Sequence, residues 1–142
     1  MAHAAQSVTV DRPITDVFAF LADATNEASW RPEVISINHI DGTGVGALYA
    51  QMMKGPGGRK IKGDFRITRQ DEPSRLDFEV IAGPARPVGS FELREVSPTS
   101  TEVTFTMDLK PRGLMVLMTP MINKQVQAEV GNIKNLPGAM GA

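Results

Sequence analysis

The residues of this chain that could do chemistry are few and far apart. Its polar candidates are His39, Tyr49 and Arg86. An imidazole can act as a base or donate a hydrogen bond to a ligand carbonyl, a phenol can bind a ligand oxygen, and an arginine can hold a carboxylate. We identify no catalytic constellation, so His39 and Tyr49 are only weak catalytic candidates. Each residue also has a plainer interpretation: a rim histidine, a strand-face aromatic and a solvated loop arginine.

Other reactive sites are not indicated by the sequence. The chain has no cysteine, which excludes disulfides and thiolate metal sites. His3 and His39 are distant and have no carboxylates at matching spacing, so we predict no metal site. The glycine-rich stretch at 55–60 lacks the Gly-Lys-Ser/Thr ending and the following helix of a phosphate loop. We therefore predict no cofactor.

Composition indicates an ordinary globular protein. The 142 residues include 42% hydrophobic and 22% charged side chains, with a formal net charge of -1. Such a length predicts one domain over residues 1–142, and we expect 1–5 and 137–142 to fray. The charge balance argues against nucleic acid as a partner. No apolar run reaches the roughly 20 residues of a membrane span, and the N-terminus does not resemble a secretory signal. We expect a cytoplasmic protein without stable membrane insertion; homodimer formation stays open.

Turn signals and apolar periodicity place the chemistry-bearing residues on a sheet followed by a helix. A strand at 7–11 precedes two short helices, at 13–23 and 26–31. From 114 onward the apolar residues recur at helical spacing, which predicts one long amphipathic helix. This order predicts an α+β fold with a meandering antiparallel sheet. The six strands predicted between the helices are Val34–Ile40, Leu48–Lys54, Lys60–Arg69, Arg75–Ile81, Val88–Val96 and Thr101–Leu109.

The later strands alternate apolar and polar residues, as in an antiparallel sheet with one covered face. All charges of these strands fall on the other face, so they supply no titratable group to the interior. Pro120 should kink or break the long helix near Val116, and residues 113–119 could then form a flap. The apolar helix positions are Leu114, Met118, Ile122, Val126, Val130 and Ile133.

The covered faces of sheet and helix predict an apolar wall, which suits an apolar ligand held by few polar anchors. The alternative is that the same residues simply pack against one another. Trp30 could close one end of a cavity by stacking on a ligand, and Arg86 could sit at its mouth. The residues predicted to bind the ligand are Trp30, Phe65, Phe78, Val80, Arg86, Phe91, Phe105, Met107, Met115, Met118 and Ile122.

Several segments resemble one known family in order along the chain. Residues 8–23 resemble the opening of the polyketide cyclase/dehydrase-like proteins, which belong to the START and birch-pollen-allergen (SRPBCC) superfamily. The segment 30–32 resembles their Trp-x-Pro motif, and 41–46 their Asp-Gly to Gly-Val-Gly turn. The turn at 72–76 and the strand at 102–106 also match. The resemblance covers about residues 6 to 136.

This resemblance implies a helix-grip fold: a seven-stranded antiparallel sheet wrapped around a long C-terminal helix, with two short helices between the first two strands. It also implies a cavity for small apolar or amphipathic ligands such as lipids, sterols or polyketides. The matching motifs belong to turns and core, so they indicate fold more strongly than activity.

Three functional hypotheses follow. In the first, the protein binds a small hydrophobic or amphipathic molecule between sheet and helix, with affinity supplied by apolar burial. In the second, it is an aromatase/cyclase acting on a polyketide chain, which requires an inward acid or base. In the third, the cavity is collapsed and the protein acts through association with a partner. A buried carboxylate or lysine inside the cavity would favour catalysis.

Overall fold

A single antiparallel sheet dominates the structure, a computed structural model that describes residues 2–142. The strands are β1 Ala2–Val10, β2 Val34–Asp41, β3 Leu48–Lys54, β4 Lys60–Lys62, β5 Phe65–Asp71, β6 Arg75–Val80, β7 Val88–Ser97 and β8 Ser100–Leu109. Neighbouring strands follow the order β1-β8-β7-β6-β5-β3-β2, and short β4 pairs with β3 outside this path. The α+β prediction is therefore confirmed, with seven strands along the main path.

The strand predicted over 60–69 is broken into β4 and β5. Two groups of Gln51 bond across this break: its side-chain amide donates to the Gly63 carbonyl at 2.9 Å, and its backbone N–H donates to Asp64 Oδ1 at 3.1 Å. Because the Asp64 carboxylate takes the place of a backbone carbonyl, the ladder cannot continue straight through this point. The alternation of side chains alone gave no sign of the interruption.

The structure has the two faces predicted for β5 to β8, whereas Lys62 of β4, predicted to lie on the outer face, lines the interior cavity. β8 alternates buried and half-buried residues along its whole length, and Val103 and Phe105 are fully buried. On the outer face, cross-strand partners carry opposite charges: Arg75 Nη1 lies 3.1 Å from Glu92 Oε1. Such exposed pairs contribute little to stability, about 0–1 kcal/mol each. The covered face therefore supplies the main driving force for folding.

Two short helical segments connect β1 to β2. Helix α1 (Ile14–Ala22) directly follows Pro13 and buries Phe18 and Leu21. A 3₁₀ helix over Ala24–Ser29 begins where Asp23 accepts a hydrogen bond from the Thr25 backbone N–H at 3.2 Å. This local cap explains why the chain turns again so soon after α1.

The C-terminal third is less regular than one continuous helix. A 3₁₀ segment over Gly113–Met118 leads into α2 (Thr119–Gly131), and Pro120 lies in the first turn of α2. Proline is tolerated there because its missing N–H would have had no helical partner. The break predicted near Val116 therefore lies slightly later, between Met118 and Thr119. A second 3₁₀ segment, Asn132–Asn135, joins α2 to α3 (Leu136–Ala139). Over residues 2–142, no helix combines the length and apolar character of a membrane span.

Both chain ends contact the rest of the protein. Residues 1–5 were expected to fray, but β1 begins at Ala2, which pairs with Leu109; Met1 lies outside the described residues. The reason is that β8 is long enough to offer a pairing partner along all of β1. At the other end, Leu136 is fully buried, and Arg12 Nη2 donates to the Gly141 carbonyl at 2.9 Å. The segment at 137–142 that was predicted to fray therefore contacts the body of the protein in this structure.

Candidate functional site

A cavity of about 330 Å³ lies between the covered face of the sheet and α2. This volume falls at the lower end of the range of small-molecule sites. Strands β3 to β6 and β8 form one wall, and α2 forms the opposite wall. The residues lining it are Glu27, Arg31, Glu33, Gln51, Met53, Lys54, Gly55, Ile61, Lys62, Gly63, Phe65, Phe78, Val80, Ala85, Pro87, Met107, Leu109, Gln125, Val126, Ala128 and Glu129.

The sheet side of the cavity is apolar, and four of the predicted ligand-binding residues lie on it: Phe65, Phe78, Val80 and Met107. The rings of Phe65 and Phe78 meet edge to face, with centroids 5.7 Å apart. Phe78 opposes Gly89 on β7, and a Cβ at position 89 would lie 2.3 Å from Phe78 Cζ. The missing side chain at Gly89 therefore leaves room for the Phe78 ring, which forms part of the cavity wall.

Three other predicted aromatic residues belong to the core beside the cavity. The rings of Phe91 and Phe105 stack at 4.6 Å, and both are buried. Trp30 packs edge-on against them, at 6.0 and 5.8 Å. Ile122 is likewise buried outside the lining. These four residues were predicted to bind the ligand, but they pack in the core outside the cavity lining.

The remaining apolar and basic candidates lie away from the cavity lining. Met118 is 46% exposed, and Met115 only partly packs against the core. Arg86 is exposed, and its Nε–H donates to the Gly83 carbonyl at 3.3 Å. Residues 113–118 form a 3₁₀ segment and do not continue the register of α2. The helical register that was predicted to point Met115 and Met118 inward is therefore absent.

Neither weak catalytic candidate lines the cavity. His39 is exposed, and its Nε2 lies 2.5 Å from the Gly42 carbonyl oxygen. His39 has the same parity as buried Ile37, and its ring centroid lies 5.1 Å from that of Tyr49, but it stays exposed near the end of the edge strand β2. Tyr49 is buried and stacks on Phe65 at 5.2 Å. Burial, together with the charge of Asp23, raises the pKa of the Tyr49 phenol.

The polar end of the cavity is a buried ionic cluster. Arg31 Nη1 donates to Glu27 Oε2 at 3.1 Å and to Gln51 Oε1 at 3.4 Å, and Nη2 donates to Glu129 Oε2 at 3.1 Å. Arg31 is 2% exposed and Glu27 is 4% exposed. We call these four residues, Glu27, Arg31, Gln51 and Glu129, the Arg31 cluster. It joins the segment before β2, strand β3 and helix α2 at one point.

The cluster holds two carboxylates against one guanidinium. Burial raises the pKa of both Glu27 and Glu129, and the charge of Arg31 only partly offsets that effect. Burial alone would lower the pKa of Arg31, but the two carboxylates raise it, so the guanidinium remains charged. The glutamates therefore bind a proton more readily than exposed ones do. A buried group of this kind can donate or accept a proton next to an apolar cavity.

Two buried donors have no hydrogen-bond partner among residues 2–142: Trp30 Nε1, in the core outside the lining, and Arg31 Nε, whose residue lines the cavity. A buried unpaired donor costs free energy, so a ligand or water oxygen there would be stabilising. A third carboxylate, Glu33, also lines the cavity and accepts from Asn132 Nδ2 at 2.6 Å. Lys54 and Lys62 line the rim, where Lys62 Nζ lies 3.6 Å from Asp64 Oδ2.

The alternating pattern of the strands gave no indication of the Arg31 cluster, because Glu27, Arg31 and Glu129 all lie outside the strands. Two signals were present. Glu27 and Arg31 have the i, i+4 spacing of a helical ion pair, immediately before Pro32. Glu129 follows Val126 by three residues, which places a carboxylate on the apolar face of α2. Within residues 2–142, no group of three His, Cys, Asp or Glu side chains is arranged to hold a metal ion.

Comparison with known proteins identifies a matching family. A family model described as polyketide cyclase / dehydrase and lipid transport matches residues 1–136. No curated protein sequence matches the chain.

Solved structures share the fold at low sequence identity. A START superfamily protein from Mycobacterium smegmatis superposes with a TM-score of 0.79 at 15% identity, covering 97% of this chain and 96% of that one. The protein TTHA0849 from Thermus thermophilus gives 0.79 at 17% identity, with 96% and 92% covered. The Zhui aromatase/cyclase from Streptomyces sp. R1128 gives 0.77 at 16% identity, with 96% and 89% covered. These likenesses show the helix-grip fold.

Proposed function

The chain belongs to the polyketide cyclase/dehydrase and lipid transport family, and on that premise we propose that it holds one small amphipathic molecule in the cavity between sheet and α2. The ligand's apolar body would lie against Phe65, Phe78 and Met107, and its polar end would meet the Arg31 cluster. The observation that carries this proposal is the division of one cavity into an apolar wall and a buried polar end.

The charges of the cluster favour a ligand whose polar end is neutral. Both Nη atoms of Arg31 are already committed to Glu27, Gln51 and Glu129. An anionic head group would add a further negative charge where carboxylates outnumber the guanidinium, at a cost that grows with burial. A hydroxyl or carbonyl oxygen can instead accept from Arg31 Nε without adding charge to the cluster. We therefore expect an alcohol, ketone or ester rather than a fatty acid.

The test is a binding titration with the neutral apolar dye N-phenyl-1-naphthylamine. We expect a saturable fluorescence increase, one dye per chain, that Val80→Phe weakens because the larger side chain occupies the cavity. Val96→Phe is the matched control, since Val96 is 51% exposed and outside the lining. 1-Decanol should displace the dye at about tenfold lower concentration than decanoic acid at pH 7, a free-energy difference of about 1.4 kcal/mol. Absence of saturable binding would rule out a carrier of this kind.

A second candidate function is favoured by the buried glutamates. Dehydration of a β-hydroxy ketone requires a base that takes the proton from the α-carbon and an acid that protonates the hydroxyl, which leaves as water. Glu27 and Glu129 would share these two roles, one as carboxylate and one as carboxylic acid, rather than His39 or Tyr49. The test is incubation with a β-hydroxy ketone substrate: turnover lost in both Glu27→Gln and Glu129→Gln supports an enzyme, whereas stoichiometric binding without turnover supports the carrier.

The third hypothesis, an interaction protein, requires a collapsed interior. Side chains leave a cavity of about 330 Å³ between the sheet and α2.

A further inference from the structure

One segment concentrates exposed apolar side chains to an unusual degree. Of the ten large hydrophobic residues exposed in the described chain, five lie within eight consecutive positions, 114–121. Leu114 and Leu117 are 84% and 81% exposed. The others are scattered over β2, β7 and the turn between β2 and β3. Contiguous exposed apolar surface of this kind marks an interaction site in soluble domains. The five residues are Leu114, Val116, Leu117, Met118 and Met121.

The charges around this segment have one sign. Between Asp108 and Glu129 the chain contains Lys110, Arg112 and Lys124 and no acidic residue. All three cations are exposed, and none takes part in an ion pair of residues 2–142. Elsewhere the exposed arginines of the sheet pair with carboxylates, as Arg94 does with Glu102. Residues 110–124 therefore combine an apolar surface with unneutralised positive charge, and we call them the apolar-basic segment.

The apolar-basic segment is also joined to the cavity at both ends. Leu109, directly before it, and Gln125, directly after it, both line the cavity. In between, Met115 packs partly against the core, which fixes the segment on the body of the protein. A surface that engages this segment would therefore lie beside the cavity wall.

From these three observations we propose that the apolar-basic segment docks on an anionic lipid bilayer, with Leu114 and Leu117 entering the interface and Lys110, Arg112 and Lys124 meeting the lipid head groups. Exposed apolar residues flanked by cations bind at this boundary because apolar burial and attraction to anionic lipids act together. The proposal does not depend on which ligand the cavity holds. Docking there would bring the cavity to the membrane from which an apolar ligand could enter.

The experiment is sedimentation with vesicles of phosphatidylcholine and phosphatidylserine in a 3:1 ratio, compared with phosphatidylcholine alone. We expect the intact chain to bind the anionic vesicles more tightly and to release as salt rises, because the head-group attraction is screened. Leu114→Ser with Leu117→Ser should weaken binding by about tenfold or more, since two deeply inserted side chains are lost. Each of Lys110→Gln, Arg112→Gln and Lys124→Gln should cost about fivefold on anionic vesicles.

The matched control is Ile40→Ser with Val45→Ser, which removes two exposed apolar side chains, 57% and 64% exposed, from the end of β2 and the following turn. This variant should bind vesicles as the wild type does. Thermal unfolding confirms that each variant is folded. Failure of the wild type to bind anionic vesicles overturns the proposal, as does equal binding by the Leu114/Leu117 variant.

Two further outcomes distinguish bilayer docking from dimerisation and from the carrier function. If the wild type is dimeric in sizing and the Leu114/Leu117 variant is monomeric, without vesicle binding, a second copy covers the segment and the bilayer proposal is wrong. Dye binding without vesicles should be unchanged in the Leu114/Leu117 variant, because neither residue lines the cavity. Vesicle binding that persists in a protein that binds no dye would leave docking intact and overturn the carrier function alone.

Discussion

Arg31 Nη2 lies 3.1 Å from Glu129 Oε2, although 98 positions separate the two residues in the sequence. Arg31 comes just before β2, and Glu129 lies in the last turns of α2. Their contact closes one end of the cavity and ties the C-terminal helix to the region between α1 and the sheet. The stability of the fold and the choice of ligand should both depend on this contact.

Removal of the Arg31 guanidinium should strongly destabilise the fold. Arg31→Met leaves the buried carboxylates of Glu27 and Glu129 without their cation, at a cost of about 3–5 kcal/mol. Arg94→Met is the control, because Arg94 pairs with Glu102 on the exposed face, where a pair contributes about 0–1 kcal/mol. Urea unfolding of both variants gives the two free energies of unfolding. Equal losses would show that the Arg31 cluster does not stabilise the fold.

The pH dependence of stability should reveal the proton affinity of the cluster. Burial raises the pKa of Glu27 in the folded state, whereas an unfolded chain has a glutamate pKa of about 4.3. The folded state then binds more protons, so the contribution of Glu27 is fully present below that pH and is lost as pH rises through the folded-state pKa. Relative to Glu27→Gln, the wild-type free energy of unfolding should fall as pH increases from about 4.3. A pH-independent difference between the two proteins would contradict a raised pKa.

The preference for a neutral over an anionic ligand head group should depend on the number of carboxylates in the Arg31 cluster. Glu129→Gln leaves one carboxylate facing Arg31, so an anionic ligand should be tolerated better than in the wild type. We expect the preference for 1-decanol over decanoic acid to shrink by about fivefold, equivalent to about 1 kcal/mol. Dye displacement at pH 7 provides the measurement. The preference should stay the same in Glu95→Gln, because Glu95 is exposed on β7.

Gly89 should control the shape of the cavity through Phe78. Gly89→Ala places a methyl group where the Phe78 ring lies, at 2.3 Å from Cζ, so the ring must move. We expect a loss of about 1–3 kcal/mol in unfolding free energy, together with weaker dye binding. Gly138→Ala is the control, since its Cβ would meet no atom within 4 Å. Unchanged dye affinity in Gly89→Ala would show that Phe78 does not shape the bound state.

Much of the fold and the apolar half of the site follow from local patterns. Alternation along β8 correctly placed Phe105 and Met107 on the covered face, because successive side chains of a strand point to opposite faces. Likewise, Pro120 marked the place where the helical pattern is interrupted, because proline lacks the N–H that a helix interior needs. These features depend on neighbours in the sequence, so the sequence by itself determined them.

Only the tertiary structure decided which covered residues pack together and which line the cavity. Phe65 and Phe105 both follow the same alternation, yet only Phe65 lines the cavity, because Phe105 is covered by Phe91 and Trp30. The Arg31 cluster depends on contacts between residues far apart in the chain, and burial of its charges arises only when α2 is laid against the sheet. Local periodicity reports which side of an element is covered; the distances that create a cavity and an ion cluster arise from the packing of one element on another.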